Sequence, residues 1–386
     1  MYRILILLTL VVCISFSNAQ PVKVGAECSE QYLPQLNGKK IGVVVNQTSM
    51  VNQKHLVDFL LANGVKIGCI FAPEHGFRGT ADAGEHINSG VDSQTGLPVV
   101  SLYGDNKKPT SAQLAGLDAL VYDIQDVGCR FYTYISTLHY VMEACAENNI
   151  PLWVFDRPNP NGDYVAGPVL DKKFSSFVGV DPIPVVYGCT PAELARMING
   201  EGWLANQGKC DLKIIPVQNY THKTPYELPV KPSPNLPNYL SVRIYPSLCF
   251  FEATSMSVGR GTMFPFQVVG YPDPKFGSFS FTPESIEGMD KNPKYKGQVC
   301  YGADFRTLRE IPRFTLKYFF DYYKLFPEEK DFLTSERWFN LLAGTDQVLA
   351  QYRQGMTLDE IENSWKPALS DYLRMRKKYL LYPDFE

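Results

Sequence analysis

The chain has 386 residues, with 37 Lys and Arg against 40 Asp and Glu, a net charge of −3 and no sustained basic run. This length holds one large or two ordinary domains with full cores, and we expect two. The charge balance argues against nucleic acid as a partner.

The N-terminus reads MYRILILLTLVVCISFSNAQ: one basic residue, an apolar stretch from Ile4 to about Phe16, then small residues at Ser17-Asn18-Ala19. That is the pattern of a secretory signal peptide, too short for a membrane span. We therefore expect a signal peptide over 1–19, a mature chain starting near Gln20, a secreted and periplasmic location, and no stable membrane span after cleavage. Eight cysteines remain after cleavage, widely scattered and without a Cys-x-x-Cys pair, and most read as small buried core residues.

From Lys39 to about Val217, Val/Ile-rich runs alternate with helical patterns. Strands are expected at Lys40 to Asn46, Val65 to Phe71, Pro98 to Tyr103, Asp118 to Ile124, Pro151 to Asp156, Ile183 to Tyr187 and Asp211 to Val217. Helices are expected between them at Gln53 to Ala62, Ser111 to Ala115, Tyr132 to Glu147 and Pro191 to Asn199. Thr110 with Gln113, and Thr190 with Glu193, carry capping chemistry for two of these helices. Continuous apolar strands alternating with helices predict a doubly wound parallel sheet of Rossmann-like layout, an α/β domain over residues 20–240. The Pro- and Asn-rich stretch PVKPSPNLPNYL reads as an extended linker or wrap. Beyond it, an aromatic, loop-rich region runs to about Arg306, followed by helical patterns at Ile311 to Phe326, Ser335 to Leu342, Thr345 to Gln354 and Thr357 to Tyr379. We read residues 241–386 as a smaller α+β domain that completes a cleft.

In an open parallel sheet, ligands bind beyond the carboxyl ends of the strands. The residues just past each strand are therefore the informative ones. Asn46 follows the first strand, Glu74 and His75 the second, Asp123 and Asp126 the fourth, and Asp156, Arg157, Asn159 and Asn161 the fifth. The stretch FAPEHGFRG adds Arg78, VYDIQDVGCRFYTY adds Arg130 and Tyr132, and CFFEATSMSVGRGT in the second domain adds Glu252, Ser257 and Arg260. No Gly-x-Gly-x-x-Gly follows a strand, so no nucleotide cofactor is expected, and Gly-x-Ser-x-Gly is absent. His75 and His86, with Asp82 and Glu85 close by, match no compact ligand spacing, so no metal is expected.

What remains is a set of carboxylates beside Arg, Asn and aromatics. Glycoside hydrolysis uses such a set, one carboxyl donating to the leaving oxygen while another stabilises the cation-like centre or activates its attacker. Glu74 is the preferred acid, with Phe71 and Phe77 expected to desolvate it. Each element also has a plainer reading: Glu74 as a loop carboxylate paired with Arg78, Asp156-Arg157-Pro158 as a turn capping the next element, Tyr132 as core.

With EHGFRG, DIQDVGCRFYTY, DRPNPNG and FEATSMSVGRGT in this order, the chain resembles the exo-β-N-acetylmuramidases, the NamZ-type glycoside hydrolases, over nearly all of its mature length. The resemblance implies a Rossmann-like N-terminal domain, a smaller C-terminal domain and an active-site cleft between them. It implies release of terminal N-acetylmuramic acid from the non-reducing end of peptidoglycan fragments, with a muramic-acid-containing glycan or muropeptide as substrate and neither metal nor nucleotide as cofactor. The family's catalytic Glu falls on Glu74, and Asp123, Asp126 and Glu252 are candidates for its partner. The lactyl carboxylate of that sugar suits guanidinium recognition, for which Arg78, Arg130, Arg157 and Arg260 are candidates. Many family members differ at Ala166, Ala253 and Val258. A non-catalytic glycan-binding protein on the same fold, or a metal-dependent cell-wall amidase, are the alternatives.

Overall fold

The computed structural model describes residues 20–74, 76–77 and 90–386, so the expected signal peptide lies outside the described residues. Seven strands form the main sheet in the order Leu212–Ile215, Leu152–Phe155, Ala119–Asp123, Lys40–Val45, Lys66–Ala72, Pro98–Ser101, Gly90–Val91. All neighbours pair in parallel except the two-residue edge strand Gly90–Val91, which runs antiparallel. The chain order reverses between Lys40–Val45 and Ala119–Asp123, which makes their carboxyl ends the natural ligand crevice.

Side chains alternate across the sheet as the pleat requires. Ile41, Val43 and Val45 pack on one face with Tyr32, Leu36, Leu56 and Leu60, from the helices Ser29–Leu36 and Leu56–Ala62. Val44, Phe71 and Tyr122 join the opposite core with Leu138 and Met142 of the helix Tyr134–Asn148. Burial on both faces is why these strands read as near-continuous apolar runs.

The expected capping boxes are present at Thr110 and Thr190. The helix expected from Gln53 starts at Leu56, because Met50–Val51 and Lys54–His55 first pair as a small hairpin and His55 Nδ1 then accepts from the Val57 amide at 3.2 Å. One strand expectation is corrected. Pro184–Val186 is not in the main sheet but pairs antiparallel with Ala166–Val169 in a ribbon of two strands. The place beside Leu152–Phe155 is taken by Leu212–Ile215, and Ile183, Val185 and Val186 are apolar because they are buried in the large core.

The second lobe holds a three-stranded antiparallel sheet with Cys300–Asp304 between Val268–Tyr271 and Phe279–Phe281, and a run of short helices including Lys317–Tyr323, Glu336–Ala343 and Gln347–Arg353. The pattern from Thr357 to Tyr379 is two helices, Leu358–Ser364 and Lys366–Arg376, with Pro367 in the first turn of the second, where its missing N–H does no harm. One apolar core runs through both lobes: Phe131 meets Tyr245 and Phe250 edge-on at 5.5 and 5.6 Å, and Phe250 packs on Phe339 at 5.3 Å. All eight cysteines among the described residues are buried free thiols. Among the same residues, no helix is long and apolar enough to cross a membrane.

Candidate active site

A cavity of about 470 Å³ opens where the carboxyl ends of the sheet strands meet the second lobe, lined by Glu74, Tyr103, Lys107 and the turn Phe131 to Thr133 from one side and by Tyr245, Glu252, Arg260 and Trp338 from the other. Glu74 arrives there because the strand Lys66–Ala72 ends in a turn that the Gly76 amide closes onto the Pro73 carbonyl at 3.0 Å. Its Oε2 accepts a hydrogen bond from Thr133 Oγ1 at 3.0 Å, and the carboxyl is half-buried. Burial, then the adjacent Glu74 carboxylate, push the Tyr103 phenol well above its ordinary range. The helix expected from Tyr132 begins at Tyr134, which leaves Phe131, Tyr132 and Thr133 as a turn free to face the cavity.

Glu252 comes from the turn that follows the helix Tyr239–Leu248. Arg260 grips its Oε1 through Nη2 at 2.6 Å and Nε at 3.1 Å, and the guanidinium lies 5.1 Å over the Phe266 ring. Burial alone would lower the Arg260 pKa, but the Glu252 carboxylate outweighs it and the net shift is upward. Two carboxylates from different lobes thus face one hollow, Glu252 gripped by Arg260 and Glu74 accepting from Thr133.

Of the residues expected to contact substrate, Tyr132 and Arg260 line this cavity together with Glu74 and Glu252. His75 and Arg78, like His86, Asp82 and Glu85, lie outside the described residues. The rest are not among this cavity's lining residues, and each is bonded within the fold. Asp123 is fully buried and ion-paired with Arg157, whose Nε and Nη2 reach its two oxygens at 2.5 and 2.8 Å. Asp126 accepts from Tyr187 Oη at 2.5 Å and the Gly128 amide at 2.6 Å. Arg130 is fully buried and spends its guanidinium on main-chain carbonyls. Asp156 accepts from the Ala192 amide at 2.9 Å, in the first turn of the helix Pro191–Gly200, and from Tyr382 Oη at 2.5 Å, so it ties the strand end to two distant segments. Asn159 and Asn161 donate to the carbonyls of Cys189, Val127 and Val242. Gly128 shows how tightly this packs: its φ is +76°, and a Cβ there would stand 2.0 Å from Asn159 Oδ1. Asn46 binds the Thr48 amide and hydroxyl, and Ser257 accepts from the Gly259 amide in a second, smaller hollow beyond the Glu252–Arg260 pair. Phe71 and Phe77 sit in the cores on opposite faces of the sheet, and neither is among the cavity's lining residues.

Lining residues that sequence reasoning missed are Tyr103, Lys107, Ser233, Asn235 and Trp338. Two of them, Ser233 and Asn235, come from the Pro- and Asn-rich linker, which thus contributes to the cavity lining. Among the described residues, no group of three or more His, Cys, Asp or Glu side chains is placed to hold a metal ion.

Burial pushes both Asp126 and Asp156 up to about 7. An unfolded Asp titrates near 3.9, so between these limits the folded protein holds protons that the unfolded chain has released. The stability tied to each group is present below the unfolded value and is lost as pH rises through the folded one. Asp126→Asn keeps an oxygen acceptor for Tyr187 and Gly128 but removes the titration. Its stability relative to wild type should therefore improve from pH 4 to 7, by up to about 1.4 kcal/mol per unit. Urea unfolding across that range checks this; a constant difference would refute it.

A family model described as exo-beta-N-acetylmuramidase NamZ, N-terminal, matches residues 41–240, and its C-terminal counterpart matches residues 243–382. The peptidoglycan beta-N-acetylmuramidase NamZ of Bacillus subtilis (strain 168) is 38% identical over 379 residues, which cover 91% of this chain and 89% of that protein. Two solved DUF1343 family proteins of Bacteroides fragilis NCTC 9343 share the fold. One has a TM-score of 0.87 and 44% identity, covering 95% of this chain and 100% of that one; the other has 0.79 and 30%, covering 94% and 99%. With both family models matched in order along nearly the whole chain, this protein belongs to the exo-beta-N-acetylmuramidase NamZ family.

Proposed function

We propose that this protein is an exo-acting glycoside hydrolase that releases terminal N-acetylmuramic acid from the non-reducing end of peptidoglycan fragments, and that it acts after export, in the periplasm. The observation that carries the reading is the pair of carboxylates, Glu74 and Glu252, facing one inter-lobe cavity in a chain of this family. Its volume of about 470 Å³ suits a single sugar with its substituents better than a long glycan, in keeping with exo action.

In this reading Glu74 is the general acid/base, protonating the glycosidic oxygen as the bond to the anomeric carbon breaks. The Thr133 hydroxyl donates to this carboxyl at 3.0 Å and orients it. Glu252, fixed by Arg260, faces the positive charge that develops on the sugar ring. Lys107 and Arg260 supply positive charge for the lactyl carboxylate, the group that separates muramic acid from glucosamine. The two carboxylates supply the acid/base and charge-stabilising groups that this hydrolysis requires, so the reading calls for no metal or nucleotide. The N-terminal basic, apolar and small-residue pattern supports export.

The test is incubation of the mature chain with a disaccharide of N-acetylmuramic acid linked to N-acetylglucosamine, and with the disaccharide of reversed order. Free N-acetylmuramic acid from the first and no cleavage of the second is expected. Binding without release would favour a glycan-binding protein on the same fold, and a stem-peptide product would favour an amidase.

A further inference from the structure

We propose that Trp338 is a substrate-contacting residue, the platform on which the ring of the terminal sugar stacks; this rests on the cavity being the sugar site. Trp338 is half-buried and lines the cavity. It stands in the first turn of the helix Glu336–Ala343, where its backbone amide donates to the capping hydroxyl of Ser335 at 3.1 Å. Leu341 and Leu342, three and four positions on, line the same cavity, so one face of this helix is turned to it. The next residue, Phe339, is fully buried in the core and packs on Phe250 and Phe319 at 5.3 and 4.7 Å. Trp338, by contrast, has no ring or cation stacked on it among the described residues. Its indole N–H makes no hydrogen bond among those residues and, unlike that of Trp153, is not sealed from solvent.

A single apolar side chain on an outer surface needs no explanation. An indole left uncovered inside a concave site, beside a cluster of mutually packed rings, is different. Pockets that bind small molecules are lined by such surfaces, with a few polar groups to fix orientation. The place of Trp338 relative to the chemistry is also set. The amides of Thr334 and Ser335, just ahead of its helix, donate to the Ala253 carbonyl at 2.9 and 3.1 Å, and Ala253 follows Glu252 in the same turn. Trp338 and Glu252 therefore move as one unit. Glu252 faces the anomeric centre, so the ring that carries this centre, the terminal sugar and not the leaving one, is the ring beside Trp338. In N-acetylmuramic acid the ring hydroxyl, acetamido and lactyl substituents are equatorial, which leaves mainly C–H groups on each face of the ring. An indole matches such a face in size, removes it from water and attracts its hydrogens through the negative π-surface. The equatorial groups then project past the edge of the indole, where polar lining residues can meet them.

For the test, free N-acetylmuramic acid is titrated into the full mature chain as wild type, W338F and W338A, with binding read by calorimetry and indole emission read on the same samples. In wild type, binding should move the emission to shorter wavelength, because sugar replaces water on the indole. W338F keeps a ring and should bind within about fivefold of wild type yet lose that shift, whereas W338A should bind at least about tenfold more weakly, as when an aromatic anchor is cut back to alanine. A lost shift in a variant that still binds is a result that misfolding does not produce. Binding and shift without any sugar release from the disaccharide would sink the hydrolase reading and spare this one. Wild type that binds the sugar without a shift, or does not bind it, overturns the proposal. So does a W338F variant that keeps the full shift or no longer binds, or a W338A variant within about threefold of wild type. A shift given only by the disaccharide would place the indole under the leaving sugar and overturn it as well.

Discussion

Glu74→Gln should lower kcat/KM for release of the terminal sugar by about a thousandfold, the size expected when a general acid is removed. The substitution keeps the shape of the half-buried side chain and an oxygen that still accepts from Thr133 Oγ1. Binding of N-acetylmuramic acid, measured by calorimetry, should change little. The loss should therefore appear in kcat with KM nearly constant, the signature of an interaction made in the transition state. Thr133→Val should show a smaller effect of the same kind, since it removes the donor that orients the acid and not the acid itself. Activity of Glu74→Gln within threefold of wild type would remove Glu74 from its assigned role.

The largest loss of stability should come from Arg130→Met. Arg130 is fully buried, and its Nη1 donates to the carbonyls of Pro168 and Ile183 at 2.9 and 2.8 Å while Nη2 donates to Leu342 at 2.7 Å. Burial pushes its pKa down to about 10, which leaves it charged at neutral pH. Leu342 lies in the last turn of the helix Glu336–Ala343, where the carbonyls carry the negative end of the helix dipole. A methionine fills much of the volume but removes the guanidinium donors of Pro168 and Leu342, while the Ile183 carbonyl still accepts from the Leu170 amide at 3.1 Å. At about 1–3 kcal/mol for each unsatisfied group, the variant should lose at least about 2 kcal/mol in urea unfolding. Arg130→Lys should fall between, because one ammonium cannot hold three carbonyls in a planar fork. Gly344 closes the pocket from the other side: its φ is +72°, and a Cβ would stand 2.7 Å from Arg130 Nη2. Arg130→Met within about 1 kcal/mol of wild type would show that the lobes are held by apolar packing alone.

The same residue shows where sequence reading stops. The strands, most of the helices and the two-lobe division were legible, because period and capping chemistry are local. The direction of a charge was not. Asp123, Arg130, Asp156 and Arg157 stand at strand ends, where catalytic groups belong, yet each is already satisfied by a distant partner. Asp123 and Arg157 neutralise each other across 34 positions, and Asp156 reaches Tyr382, 226 positions away. A sequence displays residue types and leaves such pairings hidden. Conversely, Asn235 looked like linker because its neighbours are prolines, and only its burial against the cavity distinguishes it. Glu74, Tyr132, Glu252 and Arg260 were among the candidates the sequence offered, but nothing local set them apart from the other residues past the strand ends.

Because a single apolar core threads both lobes, neither half is a separable module. A deletion or gene fusion that divided the chain near Tyr239 would lay bare a greasy seam on each fragment, and both should clump together rather than renature. The intact molecule should denature in one calorimetric event. Its groove is then a mould of set width and not a jaw, so glycans are sorted by whether they fit on arrival.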